Sequence, residues 1–128
     1  MKVLIDTHIV LGLLRRDVLE RYPKISATLA DPSTIGFVSV ASLWEIAIKT
    51  RIGKLNPGMP LADIAGYLDA LGLSILPIET AHVMTAADPL PETRDPFDRL
   101  LLAQCQVESL TLATVDQALM GHRLAWKT

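Results

Sequence analysis

The sequence predicts an α/β fold in three layers, with a mainly parallel central sheet of four to five strands flanked by helices. Three observations point there. Short apolar runs alternate with stretches at helical spacing, and strands separated by helices pair in parallel through crossovers. Val3-Leu4-Ile5 is apolar without interruption, as a strand covered on both faces must be. Acidic residues follow the expected strand ends, and every strand-to-helix loop of a parallel sheet emerges at one edge, where ligands bind.

Val3 to Ile5 is the first strand, stopped by Asp6. His8 to Arg15 carries Ile9, Leu13 and Leu14 at helical spacing, and a second helical pattern runs from Asp17 through Leu19, Tyr22, Ile25 and Leu29 to Ala30, ended by Asp31-Pro32-Ser33. Ile35 to Val40 is rich in β-branched and aromatic residues and reads as the second strand, followed by a helix from about Ala41 to Arg51 that Gly53 terminates. After the turn cluster Asn56 to Pro60 comes a helix from Leu61 to Leu71, then a short third strand, Ser74 to Ile78. A small helix spans Glu79 to Ala87, a longer one Pro96 to about Glu108, and Thr111 to Val115 is the fourth strand. Leu124-Ala125-Trp126 suggests a short last strand.

The 128 residues suit one domain, 1–128, large enough to bury a core without staples. Half of them are apolar and a fifth charged, so apolar surface is in surplus and a protein partner or a homodimer is expected. A net charge of −2 excludes the broad basic footprint of a protein that grips nucleic acid through many phosphates. One cysteine, Cys105, excludes an internal disulfide and fits a reducing cytoplasm. Asp6 and His8 interrupt the N-terminal apolar run, which argues against a secretory leader, and no stretch approaches the roughly 18 apolar residues of a membrane span. A soluble, cytoplasmic protein is expected.

Four carboxylate-bearing segments carry the chemistry. Each also has a plain structural explanation. Asp6 can cap the helix that follows it. Ser42-Leu43-Trp44-Glu45 has the spacing of a capping box; with Ser39 as the cap instead, Glu45 falls in the second turn beside Ser42 and Lys49. Asp95-Pro96-Phe97-Asp98 is an efficient helix start, with Asp98 the expected ligand and Asp95 a cap or an assisting acid. Asp116 follows a strand and can cap the segment after it, and Thr114 shares its side of an extended chain. Thr7 could orient Asp6, although structural roles suit Thr7 and His8 better. Capping alone leaves unexplained why Asp6, Glu45, Asp98 and Asp116 should all meet one sheet edge.

Two carboxylates about 4 Å apart repel by about 1 kcal/mol in water and about 4 kcal/mol at an effective dielectric near 20. A cluster of them therefore needs protons or a cation. Hard oxygen donors without histidine or cysteine at ligand spacing favour magnesium or manganese, ions suited to phosphodiester hydrolysis. Of the nearby cations, Arg99 is the best placed to contact a phosphate or a carboxylate.

Ile5-Asp6-Thr7-His8, Ser42-Leu43-Trp44-Glu45-Ile46, Asp95 to Gln104 and Thr114-Val115-Asp116 together resemble the PIN-domain nucleases, particularly the VapC-like toxins of bacterial toxin–antitoxin pairs. The resemblance covers essentially the whole chain. It implies a PIN-like fold, Mg2+- or Mn2+-dependent RNA cleavage, a homodimer, and a cognate antitoxin that covers the acidic pocket. It also implies that Asp6, Glu45, Asp98 and Asp116 are the catalytic and metal-binding acids, with Thr114 at the family's small hydroxyl position and Asp95 an accessory acid. Two other functions stay open on the residues alone: a hydrolase of small phosphate esters with Asp6 as nucleophile, and a non-catalytic protein-binding module whose acids only cap helices.

Overall fold

Four parallel strands, β1 (Lys2–Ile5), β2 (Ile35–Ser39), β3 (Ser74–Leu76) and β4 (Thr111–Ala113), form a sheet in the order β3-β2-β1-β4. The structure is a computed structural model and describes residues 1–126. Eight helices connect the strands among the described residues: α1 (Thr7–Leu14), α2 (Val18–Arg21), α3 (Pro23–Ala30), α4 (Val40–Arg51), α5 (Leu61–Ala70), α6 (Thr80–Met84), α7 (Pro96–Glu108) and α8 (Gln117–Met120).

The pleat of β1 divides the core. Val3 and Ile5 face a cluster containing Ile9 and Val10 of α1, Ile25 of α3, and Ile64 and Leu68 of α5. Leu4 points the other way, into a cluster with Leu101, Leu102 and Cys105 of α7, Leu112 of β4 and Leu119 of α8. Helix α4 bridges both layers, since Ala41 packs in the second cluster and Ile46 in the first. Apolar residues therefore run continuously through β1 because both its faces are covered. Leu4→Ala, which empties a fully buried position in the central strand, is expected to cost about 2–5 kcal/mol, read as a lower urea midpoint at unchanged slope.

Register fixes where the loops emerge. Ile5 pairs with Val38 on one side and Ala113 on the other, so Asp6, Ser39 and Thr114 leave the sheet side by side. The chain moves from β1 to β2 to β3 in one direction and then returns to place β4 on the opposite side of β1. That reversal falls between β1 and β4, and the carboxyl edge at such a point is the usual ligand position in these sheets.

Several expected elements differ. The single helix over 17–30 is two, because Pro23 restricts the residue before it and Tyr22 lies outside the helical region at φ −134°, ψ 65°. The helix expected over 79–87 stops at Met84, where Thr85 is already extended; Asp88 N–H binds Gln106 Oε1 at 2.7 Å in place of a further helical turn. The last strand reduces to one parallel bridge between Leu112 and Ala125, since Ala125 N–H turns back to His122 O at 3.0 Å. The capping-box alternative is also replaced: Ser39, not Ser42, caps α4, accepting from Ala41 N–H at 3.0 Å.

Candidate active site

Asp6 sits at the end of β1, 2% exposed, as the N-cap of α1. Its Oδ1 accepts from Ile9 N–H at 3.1 Å, and its Oδ2 takes a very short hydrogen bond from Thr114 Oγ1. Burial pushes its carboxyl above the ordinary value of 3.8, and the Thr114 hydroxyl is the strongest group opposing that rise. Thr114 Oγ1 also accepts from Asp116 N–H at 3.0 Å, so one hydroxyl links the Asp6 carboxylate to the Asp116 backbone at the ends of β1 and β4.

Glu45 reaches the same edge from α4. Moving the helix start to Ser39 places it in the second turn, where it is 8% exposed. Thr7 Oγ1 donates to Glu45 Oε1 at 2.8 Å and lies 3.0 Å from the buried Ser42 Oγ. Lys49, one turn further on, binds Glu45 Oε2 at 2.7 Å, and this bond raises the ammonium pKa.

Asp98 completes the edge from α7. Asp95 caps that helix through Phe97 N–H at 2.8 Å and is exposed, while Asp98 lies further in and accepts from Thr93 Oγ1 at 3.3 Å. Two buried side chains tie the helices together: Ser39 donates to Gln104 of α7, and Gln104 Nε2 donates to Pro77 O at 3.2 Å. Ser39 precedes Glu45 by six residues and Gln104 follows Asp98 by six, so one pin sets the separation of both acids.

Other acids act on Asp98. The Asp98 carboxyl is pushed up to about 6, first by burial, then by the negative charges of Asp95, Asp116 and Glu45. Because the folded state holds this proton more tightly than the unfolded chain, the metal-free protein loses stability as pH rises from about 4 to about 6. The loss is expected to be roughly 1–2 kcal/mol after discounting for the half-open position of the group. Comparing urea midpoints of wild type and Asp98→Asn across that range in EDTA checks it: the difference should grow in favour of the variant as pH rises from about 4 to about 6 and then level off.

Among the described residues no three acidic, histidine or cysteine side chains form a ready-made metal cage. Each carboxylate is turned toward its own donor: Thr114 and Ile9 for Asp6, Thr7 and Lys49 for Glu45, Thr93 for Asp98, and Ala118 N–H for Asp116 at 2.9 Å. Arg99, expected near a phosphate or carboxylate, donates from Nε to Thr93 O at 2.7 Å and shapes the loop before Asp95. The donor set nonetheless fits a hard divalent ion. Every candidate atom is an oxygen, and after burial it is the negative charges of Asp95, Asp116 and Glu45 that raise the Asp98 carboxyl, a repulsion such an ion relieves.

The PIN domain family model matches residues 3–121. The chain belongs to the PIN-domain family. No curated protein sequence matches it significantly. A solved structure similar to this PIN domain is VapBC2 from Rickettsia felis bound to a DNA fragment from the promoter. It is 14% identical, with a TM-score of 0.65 over 98% of this chain and 96% of that one. At that identity the likeness establishes the fold: the four parallel strands and their flanking helices are those of a PIN domain. Its members are in general nucleases that use divalent metal ions.

Proposed function

We propose that this PIN domain is a magnesium- or manganese-dependent endoribonuclease and the toxin of a VapBC-type pair. What supports the reading is an acidic sheet edge: the Thr114 hydroxyl links the Asp6 carboxylate to the Asp116 backbone, and the negative charges of Asp95, Asp116 and Glu45 bear on Asp98. Asp6, Glu45, Asp98 and Asp116 would hold the ion, with Asp95 assisting from the cap of α7. When bound, it supplies an activated water and neutralises charge at the phosphate. Thr114 and Thr7 orient Asp6 and Glu45 by donating to one oxygen each, leaving lone pairs available on both carboxylates. Lys49 offsets the charge of Glu45, and Arg99 keeps the 91–95 loop in place.

The fold similarity to a VapBC complex supports a cognate antitoxin as partner, and the apolar surplus supports a homodimer. Among the described residues no helix is long and apolar enough to cross a membrane, which agrees with a cytoplasmic place of action. Inducible expression of wild type and Asp98→Asn in bacteria, with RNA ends mapped, tests the reading. Growth arrest with new RNA ends is expected for wild type only. Arrest by both proteins, or no new ends from wild type, would reject it.

A further inference from the structure

Two aromatic residues stand immediately before two of the acids, and they touch. Trp44 precedes Glu45 on α4 and Phe97 precedes Asp98 on α7; their ring centroids are 5.8 Å apart at an interplanar angle of 75°. Phe97 packs against the second core cluster, whereas Trp44 is 58% exposed. An edge-to-face contact steadies the indole while engaging at most one of its faces.

The charges beside this ring narrow what it can hold. Lys49 is paired with Glu45, and the guanidinium of Arg99 bonds the main-chain carbonyls of Thr93 and Pro91. The chain as a whole carries −2. Lys49 and Arg99 are thus engaged within the protein, and the ring beside the acids offers an uncharged source of grip on a strand. Stacking of a base on an aromatic ring is the sequence-tolerant alternative.

We propose that Trp44 is a base-stacking platform, holding an unpaired base next to the phosphodiester that lies at the acids. The proposal rests on the nuclease reading above and adds the grip on substrate. In a duplex the base faces are occupied by their neighbours, so only a strand with splayed bases can use the ring.

Trp44 and Trp126 are the two tryptophans of the sequence, so Trp126→Phe leaves Trp44 as the sole emitter. This protein is mixed in magnesium with a short single-stranded oligoribonucleotide, with its duplex, or with the same ribose-phosphate chain lacking bases. Emission and single-turnover cleavage are followed together. The expected result is quenching by the single strand alone. Trp44→Leu, at an exposed position, should raise the half-saturating concentration about tenfold or more while leaving the rate at saturation within about twofold, and Trp44→Phe should recover most of the loss. Equal weakening on intact and base-free strands, or no weakening, overturns the platform. Cleavage without quenching also removes the platform and keeps the nuclease; quenching without cleavage does the reverse.

Discussion

Asp6→Asn is expected to lower RNA cleavage by at least about 100-fold while leaving the fold intact. Outer partners of a metal site are typically worth about 10–100-fold, and a residue that would hold the ion directly should exceed them. The fold is expected to survive because Asn retains an acceptor for Ile9 N–H, and because the substitution removes a carboxyl whose ionised form burial disfavours. Circular dichroism, thermal unfolding in EDTA and cleavage assays on one preparation decide the matter. A melting temperature equal to or above that of wild type, together with lost cleavage, is the predicted pair. Cleavage at the wild-type rate by the purified variant would remove Asp6 from the chemistry.

The second large effect is metal-linked stability. An ion that binds the folded chain alone adds about 2.7 kcal/mol at 100 times its dissociation constant. For a domain of this size that is a rise of roughly 10 °C in Tm. Mg2+ or Mn2+ should produce it, EDTA should reverse it, and Asp98→Asn should lose most of it. Because Asp98 releases its proton when it takes an ion, the rise should also be larger at pH 7.5 than at pH 5.5. An increase of the same size in the variant would mean that the ion acts elsewhere on the surface.

The strands were legible because their chemistry is local. Val3-Leu4-Ile5 can be apolar throughout only if both faces are covered, and the two core clusters on either side of β1 are that covering. Bringing Asp6, Glu45 and Asp116 toward one edge needed only parallel topology, which alternating strands and helices supply. The end of the helix over 17–30 was harder, because a proline is as acceptable at the start of a helix as it is disruptive inside one, and only the Tyr22 backbone decides between them. The start of α4 was ambiguous for a similar reason: Ser39 and Ser42 both cap well, and what selects Ser39 is Gln104, 65 residues away. Thr93 went unnoticed, although Thr93-Arg94-Asp95 repeats the pattern of Thr114-Val115-Asp116. In both, a hydroxyl accepts the N–H of the acid two residues on and also binds another acid, Asp98 in one case and Asp6 in the other. Sequence spacing could not reveal that each carboxylate also finds its own hydroxyl, amide or ammonium donor.

The Thr114–Asp6 bond joins residues separated by 108 positions. During translation, β1 and its acid emerge early, but the hydroxyl that orients that acid arrives only after nearly all of the intervening chain has been made. At about 5–20 residues per second, a growing polypeptide passes several seconds with its first acid exposed and unsupported. The arrangement around Asp6 is therefore incomplete until the strand beside β1 has been delivered, a delay written into the order in which the sheet is assembled.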